Sequence, residues 1–139
     1  MFPSATHPTQ GVFVEQQING LRDIGVKVEV FYVDRAGQGM SAYFRMLKAL
    51  NAVVRKTRPA LLHVMYGGVM ADRVIRWNSH SPTIVTFHGT DLLGDNLSGL
   101  WRRWISRYGI RCSRRAARNA QGVIVVSRRL KQALPAGLD

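Results

Sequence analysis

The chain has 139 residues, of which 46% are hydrophobic, and its 20 Lys and Arg against 8 Asp and Glu give a formal net charge of +12. That apolar share excludes a disordered polycation, and the length accommodates one domain with a real core rather than two complete ones. Apolar runs of five or six residues fall far short of the roughly 20 that cross a bilayer, which excludes an integral membrane protein but not one lying on a membrane. The opening MFPSATHPTQ lacks the basic start and apolar stretch of a signal peptide. A single cysteine, Cys112, cannot close an internal disulfide, and four scattered histidines make no ligand cluster, so no metal is expected. The expected compartment is the cytoplasm.

In chain order, residues 11–24 read as an amphipathic helix. Phe13, Val14, Gln17, Ile18, Leu21 and Ile24 recur at helical spacing, with Pro8 and Thr9 at the entry and Gly25 as the stop. Residues 26–33 read as a strand, because Val26, Val28 and Val30 alternate with Lys27 and Glu29. Residues 34–40 form a loop. Ser41 is placed to cap a second helix with Phe44, Leu47, Leu50 and Val54 on its apolar face, ending before Arg58 and Pro59. A short buried strand is predicted at 61–65, and Gly67 and Gly68 turn into a third helix running to Trp77. Residues 83–87 are the next strand and run into His88, Gly89, Thr90 and Asp91. A long basic helix follows, marked by Leu97, Leu100, Trp101, Trp104, Ile105 and Tyr108 and extending to Asn119. The last strand is 122–126, and a short helix at 127–134 stops at Pro135.

Strands alternating with helices, and apolar on both faces, predict βαβ units: an α/β, Rossmann-like, doubly wound parallel sheet covered on both sides. The chain opens on a helix entry, so the buried first strand of such a domain is expected to be lacking. No internal repeat and no low-complexity segment interrupts the pattern. The charge is uneven: no acid lies between Asn96 and Leu138, a stretch with half of all basic residues, among them Arg102, Arg103, Arg107, Arg111 and Arg114. Such a surface seeks an anion.

In open α/β sheets, ligands sit at the carboxyl ends of the strands. Four segments converge there: the one entering the first helix at Gly11, the turn at Tyr66, Gly67 and Gly68, the stretch from His88 to Asp91, and Ser127. Three lead into helix N-termini, whose free N–H groups and partial positive charge suit a phosphate or a sugar hydroxyl. The geometry implies a pocket for an anion or polar ligand without naming a reaction.

The order FPSATHPTQGVFVEQQ, LLHVMYG, TIVTFHGTDL and, after an Arg/Ala-rich helix, VIVVSRRLKQAL resembles the N-terminal half of glycosyltransferase family 4, retaining enzymes of the GT-B architecture. The resemblance runs from Phe2 to Leu134, and its most specific element is TFHGTD followed about 35 residues later by VIVVS. It implies an acceptor-side half that works against a donor-binding C-terminal half, with a nucleotide-sugar as donor substrate and no cofactor. The implied acceptor is a glycan or a lipid-linked sugar, as in polysaccharide biosynthesis. His88 is implied as the catalytic residue near the transferred sugar, where an imidazole can hydrogen-bond a sugar oxygen or ease charge on the leaving phosphate. Gly11 is implied as the glycine that lets backbone approach the donor phosphates. Gly67, Gly68, Asp91 and Ser127 join it as substrate-binding candidates, Asp91 either orienting local backbone or holding an acceptor hydroxyl, and Ser127 also serving as a helix cap. The C-terminal half with its pair of glutamates has no counterpart here, so residues 1–139 are expected to be an incomplete domain, inactive alone.

Two further readings of the arginine-rich helix stand beside this one. Its aromatic residues bury in the core and leave the arginines solvated, or the helix lies at an anionic membrane surface with Arg102, Arg103 and Arg107 as contacts. As an alternative to an enzyme fragment, the chain is a non-catalytic basic α/β module on a membrane surface or nucleic acid. Nucleic acid is the less expected partner, because no helix-turn-helix, zinc or RNA-binding signature accompanies the charge.

Overall fold

The computed structural model describes residues 11–33, 41–78, 81–94 and 98–138. The chain divides into two compact units, 1–58 and 59–139. The sequence expectations at Pro8 and Thr9, in the 34–40 loop and at Leu97 lie outside the described residues, as does everything expected of the side chains of Ser41 and Phe44.

In the first unit, α1 is Val12–Asp23 and α2 is Ser41–Thr57. Gly11 precedes α1 with φ 76°, a left-handed conformation that glycine adopts without steric cost. Along α2, Met46, Leu50 and Val54 are buried at four-residue intervals, which is the apolar stripe that period 3.6 requires. The strand expected at 26–33 is not formed. These residues pair with no other strand among the described residues, and Val26, Val30 and Tyr32 are exposed. Alternation supplies a side-chain face, but a strand exists only where a neighbouring backbone completes its hydrogen-bond ladder.

The second unit is mixed α/β. Strands β1 (Leu62–Met65), β2 (Thr83–Phe87) and β3 (Gly122–Val125) form a parallel sheet in the order β1-β2-β3. Between them run α3 (Gly68–Trp77), the single-turn α4 (Thr90–Leu93) and the long α5 (Leu100–Asn119); α6 (Arg128–Ala133) follows β3. The register sets Val64 beside Val85, Val85 beside Val123, and Phe87 beside Val125. That row meets Ala71 and Ile75 of α3, Leu92 of α4, Ala116 and Ala117 of α5, and Leu130 of α6 in one core. Each fully buried Val, Leu or Phe contributes about 1.5–3 kcal/mol. The apolar core of this unit lies on one face of the sheet; on the opposite face of β2 Thr86 is buried too, while Ile124 of β3 and Val126 after it are exposed.

Polar contacts pin the start of β2. The Thr83 N–H donates to Gln121 Oε1 at 2.7 Å, and Asn78 Nδ2 donates to Thr83 Oγ1 at 2.7 Å. Gly122 lets β3 approach, because a Cβ there would stand 2.8 Å from Ile84 Cγ2. The carboxyl ends of β1 and β2 are thereby fixed side by side.

Candidate functional site

The turn after β1 is tight. Tyr66 carries φ 110°, a region that non-glycine residues rarely occupy and that costs about 1–3 kcal/mol, so the surrounding structure must impose it. Gly67 follows under a different constraint. A Cβ on it would lie 2.5 Å from Ser113 Oγ and 2.6 Å from Phe87 Cε1, both on fully buried residues. Gly68 opens α3 with φ 86°.

The turn after β2 meets it through one carboxylate. Asp91 Oδ2 accepts from the Gly67 N–H at 2.9 Å. Asp91 Oδ1 accepts from the Gly89 N–H at 2.8 Å, and both oxygens accept longer bonds from the His88 N–H at 3.2 and 3.3 Å. Ser113 of α5 closes the arrangement from below: its Oγ accepts from the Gly68 N–H at 2.7 Å and donates to the Asp91 carbonyl. Two loops that are distant in sequence thus become one corner. Charge-assisted bonds of this kind contribute about 1.5–3 kcal/mol each.

His88 is packed against Tyr66, ring centroids 4.6 Å apart, and its Nε2 is buried. His63 lies beneath, Nε2 at 2.7 Å from Thr86 Oγ1. Burial lowers the pKa of both imidazoles below their ordinary 6.5; the neighbouring His88 adds to this at His63, and Asp91 partly opposes it at His88. Burial and the Asp91 charge push the Tyr66 hydroxyl up. At neutral pH the corner therefore holds neutral imidazoles, each with one donor and one acceptor nitrogen.

Of the residues singled out from sequence, Gly67, Gly68, His88 and Asp91 are brought together. Ser127 follows β3 on the same edge of the sheet, where its Oγ accepts from the Leu130 N–H at 3.3 Å and caps α6. Gly11 belongs to the first unit, at the start of α1. Arg102, Arg103 and Arg107 are exposed along α5.

The sequence profile of Glycosyltransferase Family 4 matches residues 10–139. This chain belongs to glycosyltransferase family 4. No curated protein and no solved structure matches it. Within this glycosyltransferase domain, sequence reasoning placed Tyr66 only as part of the turn and passed over Ser113. Ser113 had a visible signal: it shares a face of small residues with Cys112, Ala116 and Ala117 in a helix rich in arginines and large apolar residues. The strain at Tyr66 had none, since φ follows from the packing of the turn.

Proposed function

We propose that this domain is the acceptor-side half of a retaining glycosyltransferase, one that moves a sugar from a nucleotide-sugar donor to a glycan or lipid-linked acceptor. The observation that supports it is the Asp91 bridge, which ties Gly67 to the His88 loop at the carboxyl edge of the sheet. His88, neutral near pH 7, offers a donor and an acceptor to a sugar hydroxyl or to the oxygen of the departing phosphate. Asp91 is a positioning residue, its oxygens already engaged by three backbone N–H groups. Gly67 and Gly68 shape the acceptor edge through the turn they form, their N–H groups being held by Asp91 and Ser113. Ser127 lines the same edge while capping its helix, and Gly11 is the glycine at which donor phosphates approach backbone. The donor is held by a second half, without which transfer does not proceed.

The test is an NMR titration of the isotope-labelled chain with a panel of glycans and lipid-linked sugars, beside an assay for release of nucleoside diphosphate. Acceptors are expected to shift the amides of Gly67, Gly68 and Gly89, and nucleotide-sugars alone are expected to release no diphosphate. Silence at these amides with every acceptor of the panel, or donor turnover by the chain alone, would overturn the assignment. Within an enzyme that holds both halves, His88→Ala is expected to lower kcat about a hundredfold or more with the fold intact. Undiminished turnover takes His88 out of the site.

A further inference from the structure

The N-terminal half of α5 exposes side chains that a packed helix would hide. Leu100 is 87% exposed, Trp101 71% and Trp104 60%, and Ile105 and Tyr108 are exposed as well. The helix buries a different face, made of Cys112, Ser113, Ala116 and Ala117. At 3.6 residues per turn, the two faces are centred about a third of a turn apart, so most of the aromatic stripe lies off the core face. Trp101 stacks on Trp104 at 5.7 Å between centroids, and Trp104 on Tyr108 at 6.0 Å. Beside this stripe, Arg103, Arg107, Arg111 and Arg114 recur at intervals of four, four and three residues and are all exposed. A line of guanidinium groups thus runs parallel to a line of large apolar rings.

We propose that this face docks on an anionic lipid surface. Charge complementarity selects the occupant: the stretch between Asn96 and Leu138 holds ten basic residues and no acid. A second copy of the chain would bring like-charged stripes together. Single-stranded nucleic acid needs open ring faces on which bases stack, and here the central ring, Trp104, stacks on both Trp101 and Tyr108. A bilayer interface accepts both stripes at once, with indole and phenol rings at headgroup depth and arginines on phosphates. No helix among the described residues is long and apolar enough to cross a membrane, so α5 lies in the plane of the surface. The surface does not depend on the role assigned to His88.

The experiment is co-sedimentation of the whole chain with phosphatidylglycerol–phosphatidylcholine vesicles and with phosphatidylcholine alone, at low and high salt, with tryptophan emission recorded in parallel. Binding is expected only to the anionic vesicles, weakening with salt, with a blue shift in emission. Substituting Arg103, Arg107 and Arg111 together by Gln is expected to weaken partitioning on the order of a hundredfold. W101Q/W104Q, which alters exposed side chains only, is expected to abolish the blue shift while circular dichroism stays unchanged. Four results would each overturn the proposal: no binding to anionic vesicles, equal binding to neutral ones, a concentration-dependent dimer that W101Q/W104Q abolishes in place of vesicle binding, or displacement from vesicles by equimolar single-stranded RNA.

Discussion

Gly67 illustrates how one atom decides the corner. The missing Cβ leaves room for Ser113 Oγ and the Phe87 ring, and neither can retreat, because both residues are fully buried. Gly67→Ala is therefore expected to destabilise the fold by about 1–3 kcal/mol, as overpacking does, measured by urea unfolding. An unchanged midpoint would mean that the turn relaxes freely. The sequence named Gly67, Gly68, His88 and Asp91, because turn residues after an apolar run are local information. What it left open was the use of Asp91: whether its carboxylate meets a substrate or the backbone depends on where the turn after β1 lies, 24 residues away.

Among the elements, α3 and α5 are joined by a buried charge. Asp72 is 3% exposed, and Arg115 grips it with Nε on Oδ1 at 3.0 Å and Nη2 on Oδ2 at 2.7 Å, while Arg76 stands at 3.7 Å. This grip holds the Arg115 guanidinium firmly protonated. Arg115→Ala leaves the carboxylate with the distant Arg76 alone and is expected to cost about 1.5–3 kcal/mol. Arg115→Lys keeps the charge but loses the fork, so it should fall between the two in thermal melts; a lysine variant as weak as alanine would show that geometry alone matters. The same helix marks where periodicity stops being informative. Its large apolar residues and its small ones both recur at helical spacing, and it is the small face, with Cys112, Ser113, Ala116 and Ala117, that is buried. At 26–33 the alternating valines were legible, but a strand needs a ladder partner, and that is a property of the rest of the fold.

For the molecule as a whole, the three strands of the parallel sheet and the helices between them were readable, since each carries its own pattern of burial. The pH response follows from the assembled structure instead. His63 and His88 have folded-state pKa values below their ordinary 6.5, so the fold favours their neutral forms. Their contribution to stability is complete above that value and is lost as pH falls through it toward the folded pKa values. The thermal midpoint is expected to decline from about pH 6.5 downward, and His63→Gln should flatten the decline. A pH-independent midpoint between 5 and 7 would contradict the burial of these rings.

The inward turn of two carboxylates has an effect beyond the contacts it makes. Asp72 and Asp91 are the acids among the described residues of the second unit; one is sealed under Arg115 and the other is consumed by peptide N–H groups. Among the described residues, what water meets on this unit is then a predominantly cationic surface. Mobile anions condense on such a surface and keep copies of the protein apart, and each counterion freed on contact with a polyanionic surface favours adhesion through entropy rather than through any single bond.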